Sequence, residues 1–365
     1  VRLIVATVQN PLPVLQDDPA RAPQQSKPRK RLVHRAPRDY SQRLRYAFQG
    51  LFLALNVALG VQFYLFVRHF ESGGQTPAVS RPPGVEGWLP IAGLMNLKFL
   101  LVTGTVPPVH PAAMFLLISF LIISLIFRKA FCSWLCPVGT VSEVLWRLGH
   151  RLLKGNWALP RWADLPLRSV KYLLLGLFLY AVGSMSATAL SSFLTSPYGL
   201  IADVKMLYFF RFLSGTAAIT LLALAVLSLF IKNFWCRYLC PYGALMGLAS
   251  LLSPSRIQRD PDRCIDCAKC ARVCPAVLPV DKLASVRSAE CTGCLECVAI
   301  CPAAGALELS LPKKRRIPAW ALAAGMAVVF LGTVGLAKLS GHWETPLPNE
   351  VYQRLIVGIN EFTHP

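Results

Sequence analysis

At 365 residues the chain is 54% hydrophobic and only 15% charged, with positive mean hydropathy, a composition that excludes an ordinary soluble globular protein and points to membrane spans. Its formal charge of +20, from 38 basic and 18 acidic residues, flanks apolar runs and forms no single patch, which fits topology determinants and argues against nucleic-acid binding. All twelve cysteines fall in short-spaced clusters, which excludes a secreted disulfide scaffold and indicates metal ligation in a reducing compartment.

Residues 1–45 are rich in Pro, Arg and Lys, as in KPRKRLVHRAPRDYSQRLR, and read as a mobile cytoplasmic tail. No apolar stretch with a small-residue cleavage site is expected there, so no signal peptide is assigned, and VRLIVATVQN reads equally as a short strand or an extended arm. Five apolar runs approach the length that ~30 Å of hydrocarbon requires: 46–67, 112–127, 172–190, 213–231 and 318–337. The positive-inside rule places the tail, the 128–171 connection (with Arg128, Lys129, Arg147, Arg151, Lys154, Arg161 and Arg168) and the stretch 232–317, ending in KKRR, on the cytoplasmic side. The basic-poor loops 68–111 and 191–212 and the tail 338–365 belong outside, and 87–105 and 196–216 read as interfacial or re-entrant helices.

Two of these spans lead into the same motif. FCSWLCPVGT at 131–140 returns as WCRYLCPYGA at 235–244, with Cys132 and Cys236, and Cys136 and Cys240, at one common offset. Arg128 matches Lys232, Phe131 matches Trp235, Pro137 matches Pro241 and Gly139 matches Gly243. The unit of span, outer apolar segment, span and Cys-x3-Cys-Pro is therefore used twice, and a pseudo-two-fold axis along the membrane normal follows. On helical backbone the two cysteines of each hexad would share one face. The pairs then either converge as a four-thiolate centre or act separately as copper-binding or redox-cycling dithiols; soft thiolates favour Cu(I), zinc or iron–sulfur over hard cations.

The strongest signal follows. CIDCAKCARVCP (264–275) and CTGCLECVAICP (291–302) both obey C-x2-C-x2-C-x3-C-P, the pattern that binds two 4Fe–4S clusters with the fourth cysteine crossing over. One set is Cys264, Cys267, Cys270 and Cys301; the other is Cys291, Cys294, Cys297 and Cys274. Structural zinc is the competing reading, but its usual ligand spacing differs.

Together, two membrane Cys-x3-Cys-Pro motifs and a two-cluster ferredoxin segment resemble the NapH/MauN family, with similarity to the membrane parts of NosR-type regulators and CcoG-type oxidase-assembly proteins. The resemblance covers about residues 46–310 and implies a membrane iron–sulfur electron-transfer protein, coupled to quinol and to a periplasmic or membrane oxidoreductase as a quinol-dehydrogenase-like subunit. CcoG-like members imply copper reduction instead, and NosR-like ones a redox-sensing regulator. The chain departs from the shorter NapH type in its fifth span and the tail SGHWETPLPNEVYQRLIVGINEFTHP, and from CcoG in lacking an immunoglobulin-like domain.

The expected fold is mainly α, about five transmembrane helices in a tandem repeat with a small α+β ferredoxin domain before the last, set in a bacterial inner membrane. Its parts are the tail (1–45), first repeat (46–145), linker (146–169), second repeat (170–250), ferredoxin domain (255–312), fifth span (318–337) and a periplasmic tail (338–365) docking an outer partner. His69, His110, His342 and His364 lie at or beyond outer span ends, so they read as interfacial or solvated and not as haem ligands. His342 with Trp343 would border an outer quinone or partner site, and Gln49 with Asn56 would hydrogen-bond between helices. No ionisable residue or histidine is expected inside a span.

Overall fold

The computed structural model describes residues 35–37, 39–312 and 315–362. The tail 1–45, including VRLIVATVQN, therefore falls largely outside the described residues, as do the first half of KKRR and His364.

The chain opens with α1 (Ser41–Glu71), whose 31 residues reach about 46 Å and overshoot the hydrocarbon. A 3-10 turn (Pro83–Trp88) and α2 (Pro90–Thr103) cap the far end, and α3 (Pro111–Phe127) returns toward the start of α1. Then come the short α4 (Ala130–Trp134), α5 (Pro137–Leu152) and α6 (Arg161–Ser184). At the far end follow α7 (Ala187–Thr195), α8 (Pro197–Leu200) and α9 (Ala202–Arg211), before α10 (Gly215–Phe230) runs back. A π-helical turn (Trp235–Leu239) leads into α11 (Pro241–Leu251). The ferredoxin segment holds β1 (Arg256–Arg259), α12 (Lys269–Val273), α13 (Glu296–Ala299), β2 (Leu307–Leu311) and β3 (Arg315–Arg316), forming one antiparallel sheet in the order β1-β2-β3. Ile257 opposite Leu309 turns its inner face to the core. The chain closes with α14 (Ala319–Leu339) and α15 (Asn349–Val357).

Among the described residues three helices are long and apolar enough to cross a membrane, α1, α14 and Trp162–Ser184 of α6. A fourth is added if α9 and α10, bent by 79° at their junction, count as one span. Five were expected, and the difference has a physical reason. At 17 residues α3 reaches only about 26 Å. It packs against α2, α11, α14 and the 3-10 turn, so its apolar residues fill the bundle centre and need not meet lipid. Exposed apolar side chains lie instead on helices such as α6, α10 and α14, where Leu173, Ile219, Leu222, Val328 and Leu331 face outward.

Two further expectations change. The span at 172–190 is the helix Arg161–Ser184, so Lys171 lies mid-helix and fully buried, and Arg45 is likewise buried on α1; ionisable groups do stand within these helices, each paired with a carboxylate. The tail after α14, expected outside, folds back on its own chain. Tyr352, Leu355 and Ile356 of α15 pack on Phe63, Phe66 and Phe70 of α1 in a far-end core. The main core runs without a break from Leu117, Phe120 and Ile123 of α3, through Phe131 and Trp134, to Ile257 and Leu309 of the sheet, so bundle and ferredoxin share one interior.

Candidate functional site

Two small cavities in the ferredoxin segment are each lined by four cysteines. One is bounded by Cys264, Cys267, Cys270 and Cys301, the other by Cys274, Cys291, Cys294 and Cys297. Each loop therefore contributes three thiols to its own cavity and one to its neighbour's. The backbone explains how spacers of two residues achieve this. Asp266 and Ala268 flank Cys267 with left-handed φ of 54° and 53°, and Gly293 and Leu295 flank Cys294 with 62° and 60°. Alternating left-handed residues turn successive N–H groups into one concavity, the backbone arrangement that receives an anion. Burial pushes the Cys297 thiol well above its ordinary value, with Cys294 and Cys291 adding to it.

The hexads are built as helix joints. Cys132 lies on α4, but Cys136 is extended (φ −67°, ψ 119°) and its sulfur caps α5 by accepting from the Gly139 N–H; Cys240 (φ −74°, ψ 106°) does the same for α11 with Gly243. The two cysteines of a hexad thus sit either side of a helix break and not on one helical face, because the proline after each starts a new helix at its first position. Gly139 is required at this joint, since a Cβ there would stand 2.2 Å from the Cys132 carbonyl oxygen. All four hexad thiols line one large cavity of about 940 Å³. Burial lifts Cys132 to about 11 and Cys236 to about 12, each thiol raising its neighbours while Lys129 acts in the opposite sense.

Hydrogen bonds join the first hexad to the inner ferredoxin loop. Ser133 Oγ donates to the Thr292 carbonyl at 2.7 Å, Trp134 Nε1 to the Gly293 carbonyl at 3.2 Å, and Gln42 Nε2 on α1 to the Cys294 carbonyl at 3.0 Å. Beneath them the buried Arg45 guanidinium pairs with Glu143 at 2.6 Å and Glu296 at 2.8 Å, and Arg147 binds both carboxylates. Gln49 donates to the Ser133 carbonyl and to Glu143, and Asn56 accepts from Trp88 Nε1, so both make the interhelical bonds expected of them. On the other flank Lys171 donates to both oxygens of Glu290 at 2.6 Å, and Tyr172 adds a hydrogen bond. Burial alone would raise the Glu290 carboxyl, but Lys129 and Lys171 hold it below its usual range.

The large cavity continues from the hexads past Phe120, Phe330 and Val334 to Leu55, Leu59, Trp88 and Trp343 near the far end. It also touches Cys294, Pro275 and Thr292, which line the inner cysteine cavity too. Trp343 borders it as expected, whereas His342 is absent from its lining. His110 differs more. It is fully buried, with Nε2 bonded to the Gly199 carbonyl at 2.9 Å and Nδ1 at 3.4 Å from Glu86. Arg81 bridges Glu86 at 2.8 Å and Asp203 at 2.7 Å beside it. Burial disfavours both charged forms, yet Arg81 and His110 hold Glu86 down to about 2, and Glu86 holds His110 above its ordinary value.

Sequence reading missed Arg45, Glu86, Glu143, Lys171, Asp203, Glu290 and Glu296; a lone charge beside apolar residues marks Lys171 and Asp203, whereas Arg45 and Glu290 stand in polar sequence and carry no local signal.

A family model described as a 4Fe-4S binding domain matches twice, at residues 109–156 and 213–259, its second start lying 104 residues after its first (213 − 109) and each match enclosing one hexad. A 4Fe-4S dicluster domain matches 256–302. An electron transport protein of Escherichia coli, YccM, is 51% identical over 86% of this chain and 89% of its own length. The chain belongs to the NapH/MauN-type membrane ferredoxin family. The ferredoxin-type protein NapH of E. coli is 29% identical over 40% of this chain and 48% of its own length. The methylamine utilization ferredoxin-type protein MauN of Paracoccus denitrificans is 30% identical over 46% and 56%. No solved structure matches the chain.

The chain is thus an electron-transport, ferredoxin-type protein with 4Fe–4S clusters as its cofactors. Its residues fit them: all-thiol donor sets, apolar linings and inward-turned N–H groups suit a soft, anionic group. When bound, such clusters supply one-electron redox chemistry.

Proposed function

We propose that this chain carries electrons between a cytoplasmic-side pair of 4Fe–4S clusters and a quinone in the membrane, as the membrane partner of an oxidoreductase. The clusters would be held by Cys264, Cys267, Cys270 and Cys301, and by Cys291, Cys294, Cys297 and Cys274. Cys132, Cys136, Cys236 and Cys240 would jointly hold a third iron–sulfur centre. One observation carries this reading: a single, largely apolar cavity touches Cys294 and all four hexad thiols and runs on to the far end of the bundle. Its size and lining suit an isoprenoid quinone. The basic residues Arg128, Lys129, Arg147 and Arg151 gather at the ferredoxin end, which supports a cytoplasmic orientation for that end and a periplasmic one for α15 in a bacterial inner membrane. The repeat and the shared cavity support one centre held by both hexads over two separate dithiols.

The test uses the full chain, iron-loaded and reconstituted in vesicles with a short-chain quinone, with quinone reduction and quinol oxidation followed optically. Val334→Trp and Leu55→Trp, which fill the cavity away from every cysteine, are expected to cut turnover roughly tenfold with iron content unchanged. Undiminished turnover with the cavity filled, or no quinone chemistry in either direction, would overturn the reading.

A further inference from the structure

Buried cations in this chain have identifiable partners. Arg45 has Glu143 and Glu296, Arg81 has Glu86 and Asp203, Lys171 has Glu290, Arg237 has Asp164, and Arg128 donates to the Ser288 carbonyl. Lys129 is the exception. It is 3% exposed, and among the described residues its ammonium makes no hydrogen bond or ion pair. The carboxylate that acts on it, Glu290, is bonded through both oxygens by Lys171, so one positive charge stays uncompensated. Leaving such a charge unpaired inside a protein is costly, so its retention implies a further anion beside it.

Its position says where that anion belongs. Lys129 precedes the first hexad, yet its Nζ lies 3.5 Å from where a Cβ on Gly243 beside the second hexad would stand, and its charge acts on Cys132 of one hexad and on Cys236 and Cys240 of the other. It lines the same cavity as Cys132, Cys136, Cys236 and Cys240. Its counterpart in the repeat, 104 residues on, is the neutral Asn233, whose side chain is engaged by Ser142. Of the described lysines and arginines that line this cavity, Arg81 and Arg237 are paired with carboxylates and Lys129 is not.

We infer that Lys129 is the counter-cation of the hexad site and sets the reduction potential of the centre held there. The inference rests on the reading that the hexads share an iron–sulfur centre. Four thiolates around an iron–sulfur core leave net negative charge, and one more electron makes it more negative, so a fixed cation alongside in a low-dielectric site stabilises the reduced form and raises the potential. Lys129 is a positioning residue here; it forms no bond and exchanges no electron.

The experiment compares the full-length, iron-loaded protein with Lys129→Gln, Lys129→Arg and the double variant Cys132→Ser/Cys236→Ser by iron content and redox titration followed by electron paramagnetic resonance. The double variant should lose one centre and its iron while the ferredoxin signals persist. Lys129→Gln should shift the midpoint of that same centre downward and leave the other two in place, with Lys129→Arg close to the unsubstituted protein. Loss of the centre in Lys129→Gln but not in Lys129→Arg supports the counter-cation role, because the centre then survives only where the positive charge is kept. Retention of every signal in the double variant sinks the shared-centre reading. Loss of a centre there with an unmoved midpoint in Lys129→Gln, or loss of the centre in both lysine variants, overturns the role of Lys129 alone.

Discussion

At the residue scale, two glycines at matching positions make unequal demands. A Cβ on Gly139 would meet the Cys132 carbonyl oxygen at 2.2 Å, whereas one on Gly243 has nothing nearer than 3.5 Å. Gly139→Ala is therefore expected to destabilise the protein by about 1–3 kcal/mol and Gly243→Ala by much less, read as thermal unfolding in detergent. The cysteine sets make a second prediction. Cys297→Ser should remove about four irons while leaving the signals of the set around Cys264, checked by iron analysis and spectroscopy. The far-end network makes a third. The folded-state value of Glu86 lies below its usual 4.5, so its stabilisation is present above that value and lost as pH falls toward about 2. His110 is raised above 6.5, so its stabilisation is complete below that value and lost as pH rises through the folded value. Stability should thus be greatest between about 4.5 and 6.5, and His110→Gln should flatten the alkaline side of melting temperature against pH; an unchanged profile would count against the network. The cysteine spacing was legible because clustered ligands are a local pattern. The glycine's role was not, because it depends on a carbonyl that folding brings to it.

At the element scale, the hexads join helices where the sequence suggested one continuous helix. The proline after each second cysteine carries the information, since it opens the next helix and leaves its cysteine free to cap. Hydropathy found the apolar runs but not their surroundings, so it counted the short, bundle-covered α3 as it would a lipid-facing helix. It also placed the third span late, because Asp164, Arg168 and Lys171 read as loop residues until Tyr238, Arg237 and Glu290 supply their partners. Such partners lie far apart in sequence, 251 residues for Arg45 and Glu296. Removing Arg45 leaves two buried carboxylates to the partly exposed Arg147 alone, so Arg45→Met should cost about 3 kcal/mol and loosen the ferredoxin loops, measured as faster proteolysis between 256 and 311. Arg211→Met, which breaks the more exposed pair with Glu71, should cost under about 1 kcal/mol.

At the scale of the whole molecule, the ferredoxin is one face of the bundle. Its inner loop is fastened by Ser133, Trp134 and Gln42, its sheet closes on the core of α3 and α14, and the large cavity begins where its inner cysteine set ends. The two cysteine sets are consequently not equivalent. Cys274, Cys291 and Cys297 are buried, whereas Cys264, Cys267, Cys270 and Cys301 remain partly accessible beside the exposed Ile265 and Ile300. Metal-free protein treated with a water-soluble alkylating reagent should therefore be labelled at Cys264 and Cys267 well before Cys291 and Cys297, by peptide mass mapping. The fastening also gives the module a polarity that a free-floating ferredoxin lacks. A diffusing carrier can be approached from any side and meets its partners in turn; this one keeps one cysteine set turned to water and the other turned into the bundle, and cannot swap them.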